Sequence, residues 1–307
     1  MSKTARGLVG VLVVASLVAA GIGLLNRGVY GWTIFALLPM LIGAFASWIF
    51  QPATGWKAAK LGALTVLAAG CALPVLGMEG LLCLALALPL AAPLGALGGW
   101  LVYRAQSSRL AAGPGITMLC LLLPASFARD THARPAVYEV HAAVTMAASP
   151  EIVWPHVVGF SKMPEPTEWF FHTGLAFPTR ARIEGTGVGA TRYCDFSTGP
   201  LVEPIEVWDP PRVLQFQVKE NPAPLREVSL YAEVLPPHLH GYMISKQGQF
   251  RLTRLPGNRT LLEGASWYQH GLWPGEYWRW WSDAIIRRIQ MRVLNHVRTL
   301  AEAHGND

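Results

Sequence analysis

Acidic residues are almost absent from the first 128 positions. Glu79 stands there against seven basic residues, Lys3, Arg6, Arg27, Lys57, Lys60, Arg104 and Arg109. Over all 307 residues only 14% are charged and 52% are hydrophobic, whereas an ordinary soluble domain is roughly 25% charged. That balance excludes a disordered chain and argues against a purely soluble one. Cysteine is scarce too. Cys71, Cys83 and Cys120 fall in apolar runs, which leaves Cys194 alone in the second half. No disulfide can form within that half, and no CxxC or Cys/His spacing marks a metal site. A lone cysteine on a strand reads as a small buried apolar residue.

The other eighteen basic residues and eighteen acids lie in residues 129–307, so the net charge of +6 belongs to the first part. A pI near 9.3 ordinarily suggests nucleic acid. Here the cations sit between apolar runs, and no nucleic-acid partner is expected.

Five such runs precede residue 129, at 7–25, 31–50, 61–77, 80–103 and 110–128. Each is near the ~20 residues that a helix needs to cross a bilayer, and none contains a charge. Ion and substrate pathways use ionisable residues inside the spans, so an ion-coupled transporter is not expected. The fifth run carries Pro114 and Pro124, which membrane helices tolerate when neighbours re-satisfy the backbone. The first run has a basic flank but exceeds the 7–15 residues of a signal peptide core, and reads as a retained helix. An inside N-terminus places Lys3, Arg6, Lys57, Lys60, Arg104 and Arg109 on one side and only Arg27 on the other, as the positive-inside rule requires. Five crossings then put the second half on the far side, periplasmic in a bacterial inner membrane. It is cytoplasmic if the fifth run does not cross. Gly95-Ala96-Leu97-Gly98-Gly99 fits the GxxxG packing pattern. Packing within the chain, or a homo-oligomer through the membrane helices, would both use it.

After a polar linker at 129–135 the pattern changes. Residues 137–147 alternate, with Tyr138, Val140, Ala142, Val144 and Met146 on one face, which predicts a half-buried strand. Ser149-Pro150-Glu151 is a helix start, with the helix running to Val158, and Thr167 can cap a second short helix ended by Gly174. Strands follow at 180–184, 190–196, 201–208, 213–220, 245–255 and 260–270, separated by Gly and Pro turns such as Pro256-Gly257-Asn258. Short strands with tight turns imply an antiparallel sheet. The chain closes in one long amphipathic helix over 275–303. Its stripe is Trp278, Ser282, Ile285, Ile286, Ile289, Val293, Val297 and Leu300, which needs an apolar partner.

The runs Ala148-Ser149-Pro150-Glu151-Ile152-Val153-Trp154, Ile183-Glu184-Gly185-Thr186-Gly187-Val188-Gly189-Ala190-Thr191-Arg192 and Phe196-Ser197-Thr198-Gly199-Pro200-Leu201-Val202-Glu203-Pro204-Ile205, with the terminal helix, resemble the START-related SRPBCC superfamily of polyketide cyclases and lipid-transfer domains. The resemblance covers residues 136–303. It implies an α+β helix-grip fold, a curved antiparallel sheet around a long C-terminal helix with an apolar cavity between them, preceded here by an all-α transmembrane bundle. It implies no common catalytic set and no cofactor.

Nine residues are candidates for lining that cavity. Arg192 and Glu203 lie on adjacent strands and either pair inside it or form a solvent-face pair, the latter worth well under about 1 kcal/mol. Tyr268 and His270 end the last strand, where a histidine could act as acid or base or join an aromatic cluster. Trp169 and His172 could rim the mouth; Trp278, Ile285 and Ile289 face inward on the helix stripe. His238 and His240 lack an evident third ligand, so no metal is expected. Three functions fit. One is membrane-anchored binding or transfer of a lipid or isoprenoid-like molecule. The second is a cyclase or dehydratase in the same cavity, and the third a regulatory or assembly protein whose cavity its own side chains fill.

Overall fold

A computed structural model describes residues 3–108, 112–231, 234, 236–239 and 241–304; Arg109 and His240 lie outside them. The chain divides into two compact units. One is Met1–Arg134 with Glu227–His238 and Gly271–Pro274; the other is Pro135–Arg226, Leu239–His270 and Gly275–Asp307.

The first unit is helical: α1 (Lys3–Asn26), a π-helical turn (Thr33–Leu37) leading into α2 (Leu38–Phe50), α3 (Gly55–Val75), α4 (Leu81–Ser107) and α5 (Ala112–His132). Among the described residues four stretches are long and apolar enough to cross a membrane: Gly7–Asn26, Thr33–Phe50, Gly55–Val75 and Leu81–Ser107. α3 starts six residues ahead of the apolar run because Thr54 caps it, accepting a hydrogen bond from Lys57 N at 3.3 Å.

The fifth apolar run forms α5, which continues past residue 128. Arg129–His132, which composition marks as linker, are its last turn. Tertiary partners hold that turn. Asp130 accepts from the Trp32 and Thr33 backbone N–H groups at 2.9 Å each, and the Arg129 guanidinium lies 5.0 Å from the Trp32 ring and 5.6 Å from that of Trp273.

Glycine sets the helix spacing. A Cβ at Gly98 would collide with the Met40 carbonyl, one at Gly99 with the Ala58 carbonyl, and one at Gly43 with Gly95. Backbone of α4 therefore touches backbone of α2 and α3, as small-residue seams allow. The GxxxG spacing packs helices within this chain.

The second unit is a seven-stranded antiparallel sheet with one long helix. Its strands are β1 (Val137–Met146), β2 (Pro178–Glu184), β3 (Thr191–Phe196), β4 (Gly199–Asp209), β5 (Val213–Gln217), β6 (Met243–Leu255) and β7 (Arg259–His270), in the order β1-β7-β6-β5-β4-β3-β2. α6 (Pro150–Val158) and a 3₁₀ turn (Trp169–Thr173) lie between β1 and β2, and α7 (Gly275–His304) closes the fold. This is the helix-grip α+β architecture. β5 is shorter than its apolar pattern; beyond Gln217 the pairing is irregular, with Val218 N donating to the Lys246 carbonyl and Lys219 N to the Val202 carbonyl at 2.9 Å each, and Glu220 in an isolated bridge to Val202.

α7 buries Trp278, Ser282, Gln290, Val293, Leu294, Val297 and Ala301. Ile285, Ile286 and Ile289 are only half-buried. Gln290 takes an inward place where its Nε2 is satisfied, donating to the Val140 carbonyl at 3.1 Å and to Ser266 Oγ at 3.0 Å. Over its last turns the helix presses Val293, Leu294, Val297 and Ala301 into one cluster with Val144, Met146, Phe216 and Leu262. Each large side chain buried there contributes about 1.5–3 kcal/mol. These residues pack α7 onto the concave side of the sheet.

Candidate functional site in the sheet unit

Open space borders the flank of α7. A cleft of about 800 Å³ lies between that flank and the segment that follows α6. Met163, Pro164, Phe170, Ala284 and Met291 give it apolar walls. Arg287, Arg288, Arg292 and His296 project into it from successive turns of α7, and Glu168 faces them. The volume is that of a small-molecule site, commonly 300–1,000 Å³. A second hollow of about 640 Å³ is bounded by charges that already pair with each other, Glu151 with Arg254 and Asp209 with Arg212.

The cations of the cleft differ in freedom. Arg292 is held by backbone, with Nη2 donating to the Pro164 carbonyl at 2.5 Å and Nε to the Pro178 carbonyl at 3.4 Å. Arg288 is exposed, its guanidinium 5.1 Å from the Phe170 ring. Burial pushes the His296 imidazole below its ordinary pKa. A hydrogen bond with the Ser161 backbone opposes that shift, and the Arg292 charge adds to it. The cleft thus draws its positive charge near neutral pH from guanidinium groups set on an apolar wall.

Two polar networks lie elsewhere in the unit. Arg192 and Glu203 are register partners on β3 and β4, 1% and 3% exposed, and form an ion pair. Arg192 Nε also donates to the Val158 carbonyl at 3.0 Å. Burial pushes the Glu203 carboxyl up and the guanidinium beside it pulls it back. At the start of α7, Tyr268 donates to Asp283 at 2.6 Å, and Arg279 stands 3.4 Å from the other oxygen of that carboxylate. Burial, then Asp283, push the Tyr268 phenol up.

The family model described as polyketide cyclase / dehydrase and lipid transport matches residues 138–270. The match spans less than half of the chain and marks what that segment is similar to. No curated protein matches the chain. Among solved structures the domain is similar to a protein of Nitrosospira multiformis, with 14% identity over 55% of this chain and 100% of that one, at a TM-score of 0.36. It is similar as well to the Zhui aromatase/cyclase of Streptomyces sp. R1128, with 19% identity over 55% and 96% at 0.35. A third is norcoclaurine synthase of Thalictrum flavum in complex with dopamine and hydroxybenzaldehyde, with 14% identity over 55% and 89% at 0.36.

The nine residues singled out from the sequence lie apart from one another in the sheet unit, and none lines the α7 cleft. Trp169 is 78% exposed and His172 is exposed beside it on the 3₁₀ turn. Arg192 and Glu203 form the buried pair, which removes the solvent-face alternative. Tyr268, His270 and Trp278 are buried around the start of α7, where His270 stacks on Tyr138 at 5.1 Å between centroids. Ile285 and Ile289 lie half-buried about two and three turns beyond Trp278. The cleft residues escaped sequence reading because the arginines of α7 look like a solvated helix face. Their one legible signal is Met291, an apolar residue among Arg287, Arg288 and Arg292.

In the helical unit, His238 does not stand alone. It meets Glu79, Cys83 and Glu227; Glu79 and Cys83 lie 144 or more positions before Glu227 and His238 in the sequence. No spacing rule links residues so separated.

Proposed function

We propose that this chain is a membrane-held protein that binds or transfers a hydrophobic small molecule with an anionic end, lipid or isoprenoid-like, in the α7 cleft. The observation that carries the reading is the cleft itself: about 800 Å³, walled by Met163, Phe170, Ala284 and Met291, with Arg287 and Arg288 at its edge. An apolar wall favours a hydrocarbon body, and guanidinium groups favour a carboxylate or phosphate head. The family description, which includes lipid transport, supports the same reading. So do the four apolar helices, since tethering to a bilayer raises the local concentration of a bilayer-derived ligand. The Lys/Arg bias of the short loops supports an inside N-terminus, with the sheet unit on the far side if α5 also crosses.

The test uses the full chain in detergent or nanodiscs. Mass spectrometry of the intact protein and of its organic extract should find an apolar, acidic molecule at close to one per chain. Displacement of a fluorescent fatty acid should report the same site, and Ala284→Trp, which fills the cleft, should weaken that binding at least tenfold. A wild-type chain that retains no such molecule and does not bind the probe overturns the proposal, as does an Ala284→Trp chain that binds it unchanged.

A further inference from the structure

Glu79 precedes α4 and Cys83 sits in its first turn, while Glu227 and His238 bound the segment Glu227–His238 that belongs to the same helical unit. Their donor atoms all lie within 4.8 Å of one another. We propose that these four side chains bind a divalent metal ion of the zinc type.

Distances support it first. Cys83 Sγ lies 2.7 Å from Glu227 Oε1 and 3.0 Å from His238 Nε2. His238 Nε2 lies 3.5 Å from Glu227 Oε1, and Nδ1 lies 3.6 Å from Glu79 Oε2. With zinc–sulfur bonds near 2.3 Å and zinc–nitrogen or zinc–oxygen bonds near 2.0 Å, a tetrahedral site needs donors roughly 3.3–3.5 Å apart. The spacings among Sγ, Nε2 and Glu227 Oε1, 2.7–3.5 Å, lie at or just below that range, so small side-chain rotations complete the site. His238 offers Nε2 to the ion, because Nε2 faces both Cys83 and Glu227. Its Nδ1 is 3.2 Å from the Tyr30 hydroxyl, and a hydrogen bond on the second nitrogen is how metal-bound imidazoles are oriented.

Charge supports it independently. The side chain of Glu227 is fully buried and that of Glu79 is 9% exposed. Among the described residues no lysine or arginine pairs with either. Glu79 Oε2, aimed at His238, and Glu227 Oε2 are both buried and accept no hydrogen bond there. Two enclosed carboxylates are costly without a cation. Gly80 makes room for one of them, since a Cβ there would collide with the Glu227 carboxylate. The donor chemistry selects the ion. A thiolate with an imidazole suits zinc, whereas magnesium and calcium take oxygen ligands. Binding replaces the Cys83 S–H bond with a sulfur–metal bond and releases that proton to solvent. The ion would clamp the 227–238 segment to the start of α4.

The full chain, stripped with a chelator in detergent and titrated with cobalt, decides the matter. One equivalent should bind and produce a thiolate-to-cobalt charge-transfer band. The band should survive in Cys71→Ser/Cys120→Ser/Cys194→Ser, which keeps Cys83 as the sole thiol, and vanish in Cys83→Ser. His238→Ala and Glu79→Gln should each weaken zinc at least tenfold in competition with a chromophoric chelator. A wild-type chain without the band overturns the proposal whatever the variants do. So does a band that persists in Cys83→Ser, or zinc affinity unchanged in His238→Ala.

Discussion

Arg192 and Glu203 face each other across β3 and β4 as a buried ion pair, among the rings of Phe160, Phe216 and Phe250, whose centroids lie 5.5–5.9 Å from the guanidinium carbon. Two opposite charges sit where strand alternation calls for apolar residues. The pair favours the register of β3 on β4, because a slip of β3 by one residue would turn Arg192 outward and leave the buried Glu203 without its partner.

That arrangement separates the worth of the pair from the cost of breaking it. Arg192→Met leaves Glu203 buried alone and should cost about 3–5 kcal/mol in denaturant unfolding, as should Glu203→Leu. The double variant Arg192→Met/Glu203→Leu should unfold close to the wild type. A double variant as unstable as the sum of the singles would show that the two side chains act independently and that their pairing is not what the singles break.

The glycine seam of α4 predicts a different kind of damage. Gly99→Leu and Gly43→Val force side chains into a backbone contact that has no room for a Cβ. Each should destabilise the helical unit by about 1–3 kcal/mol or more, seen as a lower melting temperature of the full chain in detergent. Gly23→Ala meets nothing within 4 Å in α1 and should leave the melting temperature unchanged.

Charge selectivity in the α7 cleft should track Arg288. Arg288→Gln should weaken a long-chain carboxylate about two- to fivefold, the scale of one exposed charge, and leave the alcohol of the same chain length unchanged. Fluorescence displacement with the matched pair reads both. Equal losses for acid and alcohol would place the effect in packing rather than charge.

Cys194 should be inert. It is buried, and burial first, then the Glu203 charge, push its thiol up to about 12. The neutral thiol is therefore the folded form across the physiological range. Its folded pKa exceeds the ordinary value of 9.0, so the stability linked to it is full below pH 9 and is lost as pH rises toward 12. At pH 8 iodoacetamide should leave Cys194 unmodified in the folded chain and label it once denatured, as peptide mass spectrometry would show. Labelling of the folded chain would contradict this.

Much of the architecture was legible in local pattern. Alternation over 137–146 places β1 within a residue, Ser149-Pro150 starts α6, and the uncharged runs mark the helices of the first unit, because side-chain period and hydropathy are properties of adjacent residues. Helix ends were less legible: α5 runs on to His132 since Asp130 and Arg129 find partners about 100 residues away, which no window contains. The same limit hid Gln290 on the inward face of α7, because its acceptors lie on β1 and β7.

Sequence alone determined that this chain joins apolar helices to a curved-sheet domain, and that the first part is basic and the second neutral. Tertiary structure decided that the charges of Arg192 and Glu203 lie inside. It also opened a cleft on the flank of α7, and brought His238 to Glu79, Cys83 and Glu227. The division has one physical cause. Hydropathy acts residue by residue along the chain, whereas a charge or a ligand atom takes its meaning from neighbours that only folding supplies.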